Sequence, residues 1–313
     1  MQLAERDTVA AVIDTLASRH LQGKIKSIKL AMVGLLAGGH VLIEDIPGLG
    51  KTTLALALAR ILGLSFGRVQ CTSDLLPSDI TGLSVYNRQE ERFHFMRGPI
   101  FNNVLLVDEI NRAMPKTQSA LLEAMEEKRV TVEGTTTALP DPFFVIATQN
   151  PVEQVGTFPL PESQLDRFLI RTGIGYPPPA IEREIIRGGS VRDEIMTISP
   201  LMSQEQILAA QRAVRQDITL APVLADYIYR IVAATRDHQQ LLSGISTRGA
   251  INMAEGARAM AYLEGRNFVI PEDVKAVALS VGGHRLVPRP EHESINREAL
   301  LASVLDSVAV PIA

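Results

Sequence analysis

The sequence predicts an α/β fold, with a parallel five-stranded sheet carrying helices on both faces and two inserted hairpins, followed by a small all-α domain. Three observations predict it. Short apolar segments of strand length alternate with helical periodicities over the first half of the chain. The first such segment, residues 41–43, runs into a Gly-rich turn and then an Ala/Leu-rich helix, the order of a phosphate-binding unit. Beyond Pro177-Pro178-Pro179 the strand signals stop, and helix periods and cap signals take over.

Residues 8–20 and 24–37 have helical period. In the second, Ile25, Ile28, Met32, Leu35 and Leu36 share one apolar face, and Gly38-Gly39 ends it. Strand-like segments then recur at residues 41–43, 66–72, 104–108, 143–148 and 168–172. Strands separated by helices pair in parallel, and such sheets hold ligands at the carboxyl ends of their strands. Two hairpins interrupt the alternation. In residues 83–97, Ser84-Val85-Tyr86 and Arg92-Phe93-His94-Phe95 flank a polar turn, with His94 an ordinary strand residue. In residues 129–137, Arg129-Val130-Thr131-Val132 meets Thr135-Thr136-Thr137 across Glu133-Gly134, a two-residue turn signal.

Three consecutive prolines can continue neither a helix nor a central strand. They divide the chain into a core of residues 1–177 and a helical lid of residues 178–313. In the second part, Ser203 and Gln206 have capping-box spacing and a helix is expected over residues 222–235. Others begin after Ser246-Thr247 and at Pro271-Glu272-Asp273, where proline suits the first helical position. The apolar tail of residues 299–313, interrupted by Asp306 and ended by Pro311, reads as a helix packed on the body.

Composition narrows the function classes. A chain of 313 residues, 46% hydrophobic and 21% charged, can bury a substantial core, and its net charge of −4 gives no global basic field to recruit nucleic acid. A dedicated nucleic-acid binder is disfavoured, with a local basic channel left open. The single cysteine, Cys71, excludes an internal disulfide and a cysteine zinc cluster and reads as core filler. No apolar run approaches a membrane span, and the start of the chain carries acids where a signal peptide has basic then apolar residues. A cytoplasmic protein without membrane insertion is expected.

The chemistry-bearing stretch is Asp45-Ile46-Pro47-Gly48-Leu49-Gly50-Lys51-Thr52-Thr53. In such a loop backbone N–H groups converge on phosphate oxygens at a helix N-terminus; Lys51 would reach the β- and γ-phosphates and Thr52 would offer its hydroxyl to Mg²⁺. The pattern G-x-x-x-x-G-K-[ST] asks for glycine where this chain has Asp45, so the strict motif fails by one position. Residues 103–107 form an apolar strand closed by Asp108-Glu109, which assigns Asp108 to the metal and Glu109 to polarising the attacking water. The strand of residues 143–148 leads to Gln149-Asn150-Pro151. There Asn150 is either an amide for the γ-phosphate and the water or a turn-forming Asn-Pro. Phosphoryl transfer also needs cations, which a neighbouring subunit can supply, and Arg167, Arg248 and Arg112 qualify by position.

Together, residues 39–52, Asp74-Leu75-Leu76-Pro77-Ser78-Asp79-Ile80-Thr81-Gly82, Asp108-Glu109-Ile110-Asn111-Arg112-Ala113, Ala147-Thr148-Gln149-Asn150-Pro151, Leu165-Asp166-Arg167-Phe168 and Ser246-Thr247-Arg248 resemble MoxR-type AAA+ ATPases. The resemblance runs from residue 23 to about residue 288. It implies an AAA+ core with a lid, and a homo-oligomer, a hexameric ring, with ATP at the subunit interfaces. It also implies that Arg167 is an arginine finger acting on a neighbour's ATP, Arg248 a second sensor acting within its own subunit, and Asn150 the first sensor. The hairpins become the helix-2 and pre-sensor-1 inserts facing the central pore, Arg112 an additional interface arginine, and Asp45 a tolerated loop residue. Gly23-Lys24 stands where many members have Gly-Gln near the adenine.

The leading expectation is Mg²⁺-dependent ATP hydrolysis coupled to chaperone-like remodelling, maturation or cofactor insertion in a client complex. As the family implies, the work is often shared with a protein bearing a von Willebrand factor A domain. A nucleic-acid motor is the alternative from another class, and a chelatase-type motor subunit a third. The hairpin tips, Asn87-Arg88-Gln89-Glu90-Glu91 and Glu133-Gly134, are more acidic than basic, against the nucleic-acid reading. A non-hydrolysing scaffold is disfavoured because Lys51, Asp108, Glu109, Asn150 and Arg167 are all present.

Overall fold

The computed structural model describes residues 2–152, 155–188 and 192–311. Five parallel strands form the central sheet: β1 (Val41–Glu44), β2 (Phe66–Gln70), β5 (Val104–Asp108), β8 (Phe144–Gln149) and β9 (Ile170–Thr172). Their order across the sheet is β2-β5-β8-β1-β9, which puts the phosphate-loop strand β1 beside both β8 and β9. Side-chain alternation feeds two cores. Val41, Ile43, Leu106 and Ile146 point to one face and Leu42, Leu105, Val107 and Val145 to the other, all fully buried. Near-continuous apolar strands of this kind need cover on both sides, which the helices supply.

The covering helices include α1 (Gln2–Thr15), continued by a π-turn at Leu16–His20, α2 (Ile25–Leu36), α3 (Lys51–Ile61), α4 (Pro77–Thr81) and α5 (Pro115–Glu127). Two antiparallel hairpins are inserted. One pairs β3 (Gly82–Asn87) with β4 (Arg92–Arg97), and the other pairs β6 (Arg129–Val132) with β7 (Thr135–Ala138). Glu133 and Gly134 turn the second with φ of 49° and 78°, the two left-handed residues a tight two-residue hairpin turn requires.

The later helices are α6 (Glu162–Leu165), α7 (Pro179–Gly188), α8 (Arg192–Met196), α9 (Gln204–Gln216), α10 (Pro222–Arg236), α11 (Thr247–Leu263), α12 (Pro271–Gly282) and α13 (Arg297–Ser307). Ser203 caps α9 by the expected reciprocal bonds with Gln206, and Ser246 caps α11 by accepting from the Gly249 N–H. α1 packs on α9 and α11, with the Arg6 guanidinium over the Tyr262 ring.

Several expectations need correction. The segment expected over residues 168–172 begins only at Ile170, because the Phe168 carbonyl is taken by the Arg285 guanidinium rather than by a neighbouring strand. The segment expected over residues 66–72 ends at Gln70. Pro179 opens a helix rather than only ending one, since proline has no N–H to lose at the first helical position. The second part also holds a small antiparallel ribbon, Leu241–Ser243 with Val287–Pro288. The tail helix runs over Arg297–Ser307 and stops as Val308 turns extended; residues 312–313 lie outside the described residues. Among the described residues no helix is long and apolar enough to cross a membrane.

Candidate active site

Parallel strands place the tips of β1, β5 and β8 on one edge, and the side chains at those tips line a pocket of about 330 Å³. Pro47, Gly48, Gly50, Lys51, Thr52, Thr53, Asp108, Glu109 and Asn150 all contribute to it. Gly48 and Gly50 adopt φ of 85° and 95°, and a Cβ added at Gly48 would meet no atom within 4 Å. The space above the loop is therefore open, and α3 starts there with its first N–H groups unpaired by the helix. An open cradle of amides at a helix N-terminus, with a lysine and two carboxylates beside it, fits a nucleotide's phosphates.

Asp45 occupies the position where the motif asks for glycine, and its carboxylate has a defined task. Oδ1 accepts the Ile46 N–H at 2.9 Å, and Oδ2 accepts the N–H groups of Ile174 at 2.9 Å and Gly175 at 2.7 Å. The side chain thus staples the loop to the connector that follows β9. Lys24 reinforces the same connector by donating to the Gly175 carbonyl, and Ser27 Oγ donates to the Gly173 carbonyl at 3.1 Å. Lys51 Nζ donates to the carbonyls of Asp45 and, at 3.0 Å, of Ile46. Burial lowers its pKa, while Asp45, Asp108 and Glu109 pull it back up.

Sequence reasoning missed the residues that hold the two carboxylates. Arg68 Nε donates to Asp108 Oδ2 at 2.8 Å, Gln70 Nε2 to Glu109 Oε2 at 3.3 Å, and both project from β2, which pairs with β5. Their signal was the polar alternation Arg68-Val69-Gln70 in an otherwise apolar strand. Thr148, 1% exposed, joins the pair: its hydroxyl donates to Asp108 Oδ1 at 3.3 Å and accepts the Glu109 N–H at 2.9 Å. Glu109 is itself left-handed, with φ 56° and ψ 51°, a strained conformation for a non-glycine residue, and this one sits at the pocket. Arg112 lies on Glu109, Nη1 to Oε2 at 3.2 Å. Asn150 lines the pocket, and its Oδ1 accepts the Val152 N–H at 3.2 Å, the bond of an Asn-Pro turn.

A second cavity of about 650 Å³ adjoins the loop and shares Pro47, Gly48, Gly50 and Thr53 with the first. Leu21, Ile174, Tyr176, Ile181 and Ile185 also line it beside Lys24, Arg19 and Glu182, giving a mixed polar and apolar recess of the size a base and ribose need.

Arg167 and Arg248 are placed elsewhere. Arg167 stands three residues before β9, at the edge where the strands begin, whereas the phosphate loop lies where β1 ends. Its Nη1 pairs with Glu126 Oε2 at 3.2 Å. Arg248 Nη2 donates to Glu126 Oε1 at 2.9 Å, and its Nε lies 3.9 Å from Asp166 Oδ2. Both arginines share one glutamate on the far edge of the sheet, so Arg248 does not line the phosphate pocket of its own chain.

Cys71 is buried, and burial pushes its thiol up to about 12, as core filler would be. Among the described residues no three His, Cys, Asp or Glu side chains cluster as a metal cage. A divalent ion here would rest on Thr52, Asp108 and the oxygens of the nucleotide itself, as Mg²⁺ sites commonly do.

This arrangement belongs to one class. Residues 40–170 match the model of the ATPase family associated with various cellular activities (AAA), and residues 233–304 match that of the AAA lid domain. A crystal structure of a candidate ATPase from Cytophaga hutchinsonii superposes with a TM-score of 0.90 at 38% identity, covering 99% of this chain and 97% of that one. The chain is 41% identical to Chaperone MoxR1 of Mycobacterium tuberculosis, over 94% of this chain and 80% of the relative. It is 31% identical to Protein MoxR of Paracoccus denitrificans, over 93% and 91%, and 46% identical to the uncharacterized protein YeaC of Bacillus subtilis, over 94% and 92%. The chain belongs to the MoxR family of AAA+ ATPases.

Proposed function

We propose that this chain hydrolyses ATP at sites shared between subunits of a homo-oligomeric ring, a hexamer, and uses the cycle to remodel or mature client complexes in the cytoplasm. One observation carries the reading: Lys51, Asp108, Glu109 and Asn150 line one pocket, while Arg167 and Arg248 lie together on the opposite edge of the sheet. A cation on the wrong edge of its own sheet serves an active site only if another subunit brings its pocket there.

In this reading the loop amides and Lys51 hold the phosphates, and Glu109, oriented by Gln70 and Thr148, accepts a proton from the attacking water. Asn150 orients that water. The partner subunit presents Arg167 and Arg248 to the charge that develops on the γ-phosphate. Magnesium, held through Thr52 and Asp108, would neutralise phosphate charge when bound. Before that, Arg68 provides the positive partner of Asp108. The Pro177–Pro179 break is the division proposed between core and lid, and Asp45 reaches across to the connector leading into it.

The proposal extends to client work, including metal or cofactor insertion and a partner with a von Willebrand factor A domain; the chaperone name of the relative MoxR1 supports the remodelling part of it. The nucleic-acid alternative loses support at the hairpin tip, where Glu90 holds both Arg92 and His94. The test is a mixing experiment: Lys51→Ala protein and Arg167→Ala protein, each inactive alone, recover ATPase activity when assembled together. Absence of recovery in assemblies shown to be mixed rejects the shared site.

A further inference from the structure

The turn that carries Arg167 is gripped by a buried arginine of the lid. Arg285 has a side chain only 2% exposed, and its Nε donates to Asp166 Oδ1 at 2.7 Å. Nη2 donates to the carbonyls of Asp166 at 2.9 Å and Phe168 at 2.8 Å. Nη1 donates to the Val281 carbonyl in its own lid segment and lies 2.8 Å from His284 Nε2. His284 Nε2 also lies 3.1 Å from the Phe168 carbonyl, to which it can donate, so four guanidinium N–H groups have oxygen partners, three of them on the two residues that flank Arg167.

The amides of the same turn are tied from the other side: Asp166, Arg167 and Phe168 donate to the carbonyls of Glu162, Gln164 and Leu165. The turn is therefore fixed between α6 in the core and Arg285 in the lid, with Arg167, 29% exposed, laid on Glu126 and Arg248 against Asp166. A planar fork that reads two carbonyls and a carboxylate at once sets orientation as well as distance, which a lysine ammonium cannot reproduce.

We infer that Arg285 is a positioning residue for the arginine face, so that the lid dictates how Arg167 is presented to the neighbouring subunit. The inference rests on the reading that Arg167 acts across an interface. A purely structural Arg285 would instead fill the core and leave the geometry of Arg167 unchanged.

Mixed assemblies of the full chain separate the two. The control is the pairing of Lys51→Ala with Arg167→Ala; if it recovers no activity, the shared-site reading itself falls, whatever Arg285 does. With the control positive, Arg285→Lys alone is expected to lose about 10²-fold in turnover, the scale of an ångström-level misplacement, while binding a fluorescent ATP analogue as the unmodified chain does. Assembled with Lys51→Ala, which supplies an intact arginine face, it recovers activity to the control level. Assembled with Arg167→Ala, it recovers none. Recovery with the Arg167→Ala partner, or full activity of Arg285→Lys alone, overturns the inference. If Arg285→Lys does not assemble, Asp166→Asn loosens the same contact from the core side and must give the same one-sided rescue; two-sided rescue or full activity of Asp166→Asn overturns the inference.

Discussion

The two edges of the central sheet are built in opposite ways, and in the proposed reading they supply opposite halves of one shared site. At the edge where the strands end, the pocket is made of backbone and strand tips: a glycine loop, a helix start, and carboxylates fixed by Thr148, Arg68 and Gln70. At the edge where they begin, the face is made of long charged side chains from distant segments, with Arg167 and Arg248 on Glu126 and Arg285 on Asp166. A backbone cradle keeps its shape in a single subunit. The Arg167 and Arg248 pairs on Glu126, partly open to solvent, change partners readily because exposed pairs contribute little individually, whereas the buried Arg285 holds the turn beneath them.

The largest effects fall on the residues that do chemistry. Arg167→Ala and Glu109→Gln should each lower turnover by about 10³-fold while leaving nucleotide binding intact, as a lost arginine finger and a lost base do. The comparison requires them to differ in mixing: Lys51→Ala rescues Arg167→Ala but not Glu109→Gln, which shares its defective edge. Rescue of Glu109→Gln by Lys51→Ala would place Glu109 in the wrong half.

Protonation should strike the arginine edge. His40 is fully buried between that edge and the sheet; its Nδ1 accepts the Val145 N–H at 3.0 Å and its Nε2 faces the carbonyl of Met125, the neighbour of Glu126, at 3.2 Å. Burial chiefly, with a smaller push from Lys128, brings its pKa from 6.5 down to about 4. The unfolded chain then binds more protons than the folded one between these values. The stability this contributes is complete above pH 6.5 and lost as pH falls toward 4, roughly 3 kcal/mol in all. The difference between the chain and a His40→Gln variant in the stability lost from pH 7 to pH 5 in urea melts measures its share, since buried His284 shifts the same way, and equal losses contradict the shift.

Smaller effects test the staples. Asp45→Ala removes the acceptor of three N–H groups, and should weaken ATP binding about ten-fold with little change in turnover at saturation, seen in a titration with a fluorescent analogue. Glu126→Gln should change turnover by only about two- to three-fold, since Glu126 is 40% exposed and pairs the arginines without doing chemistry. A loss as large as that of Arg167→Ala would make Glu126 part of the site.

The same contrast explains what was legible in the sequence. The phosphate edge was readable because its parts are contiguous: the loop, the Asp108-Glu109 pair and the Asn150 tip each fall within a few residues of a strand end. Asp45 looked like a mismatch because its partners, Ile174 and Gly175, lie 129 and 130 residues away. Arg285 was invisible for the same reason, its contacts with Asp166 and Phe168 spanning 119 and 117 residues. Arg167 and Arg248 were found by motif, but only the topology shows that they share an edge and a glutamate. The lid ribbon escaped notice because two-residue and three-residue strands, one ending in proline, carry no period.

The Asp45 staple has a consequence for energetics. One carboxylate bonds both the loop that would cradle phosphates and the connector toward the lid, so the two are linked variables rather than neighbours. Linkage is reciprocal: if a bound nucleotide changes the preferred lid angle by some free energy, anything that fixes the lid angle changes nucleotide affinity by the same amount. A client that props the lid would then set the threshold at which the motor loads its fuel.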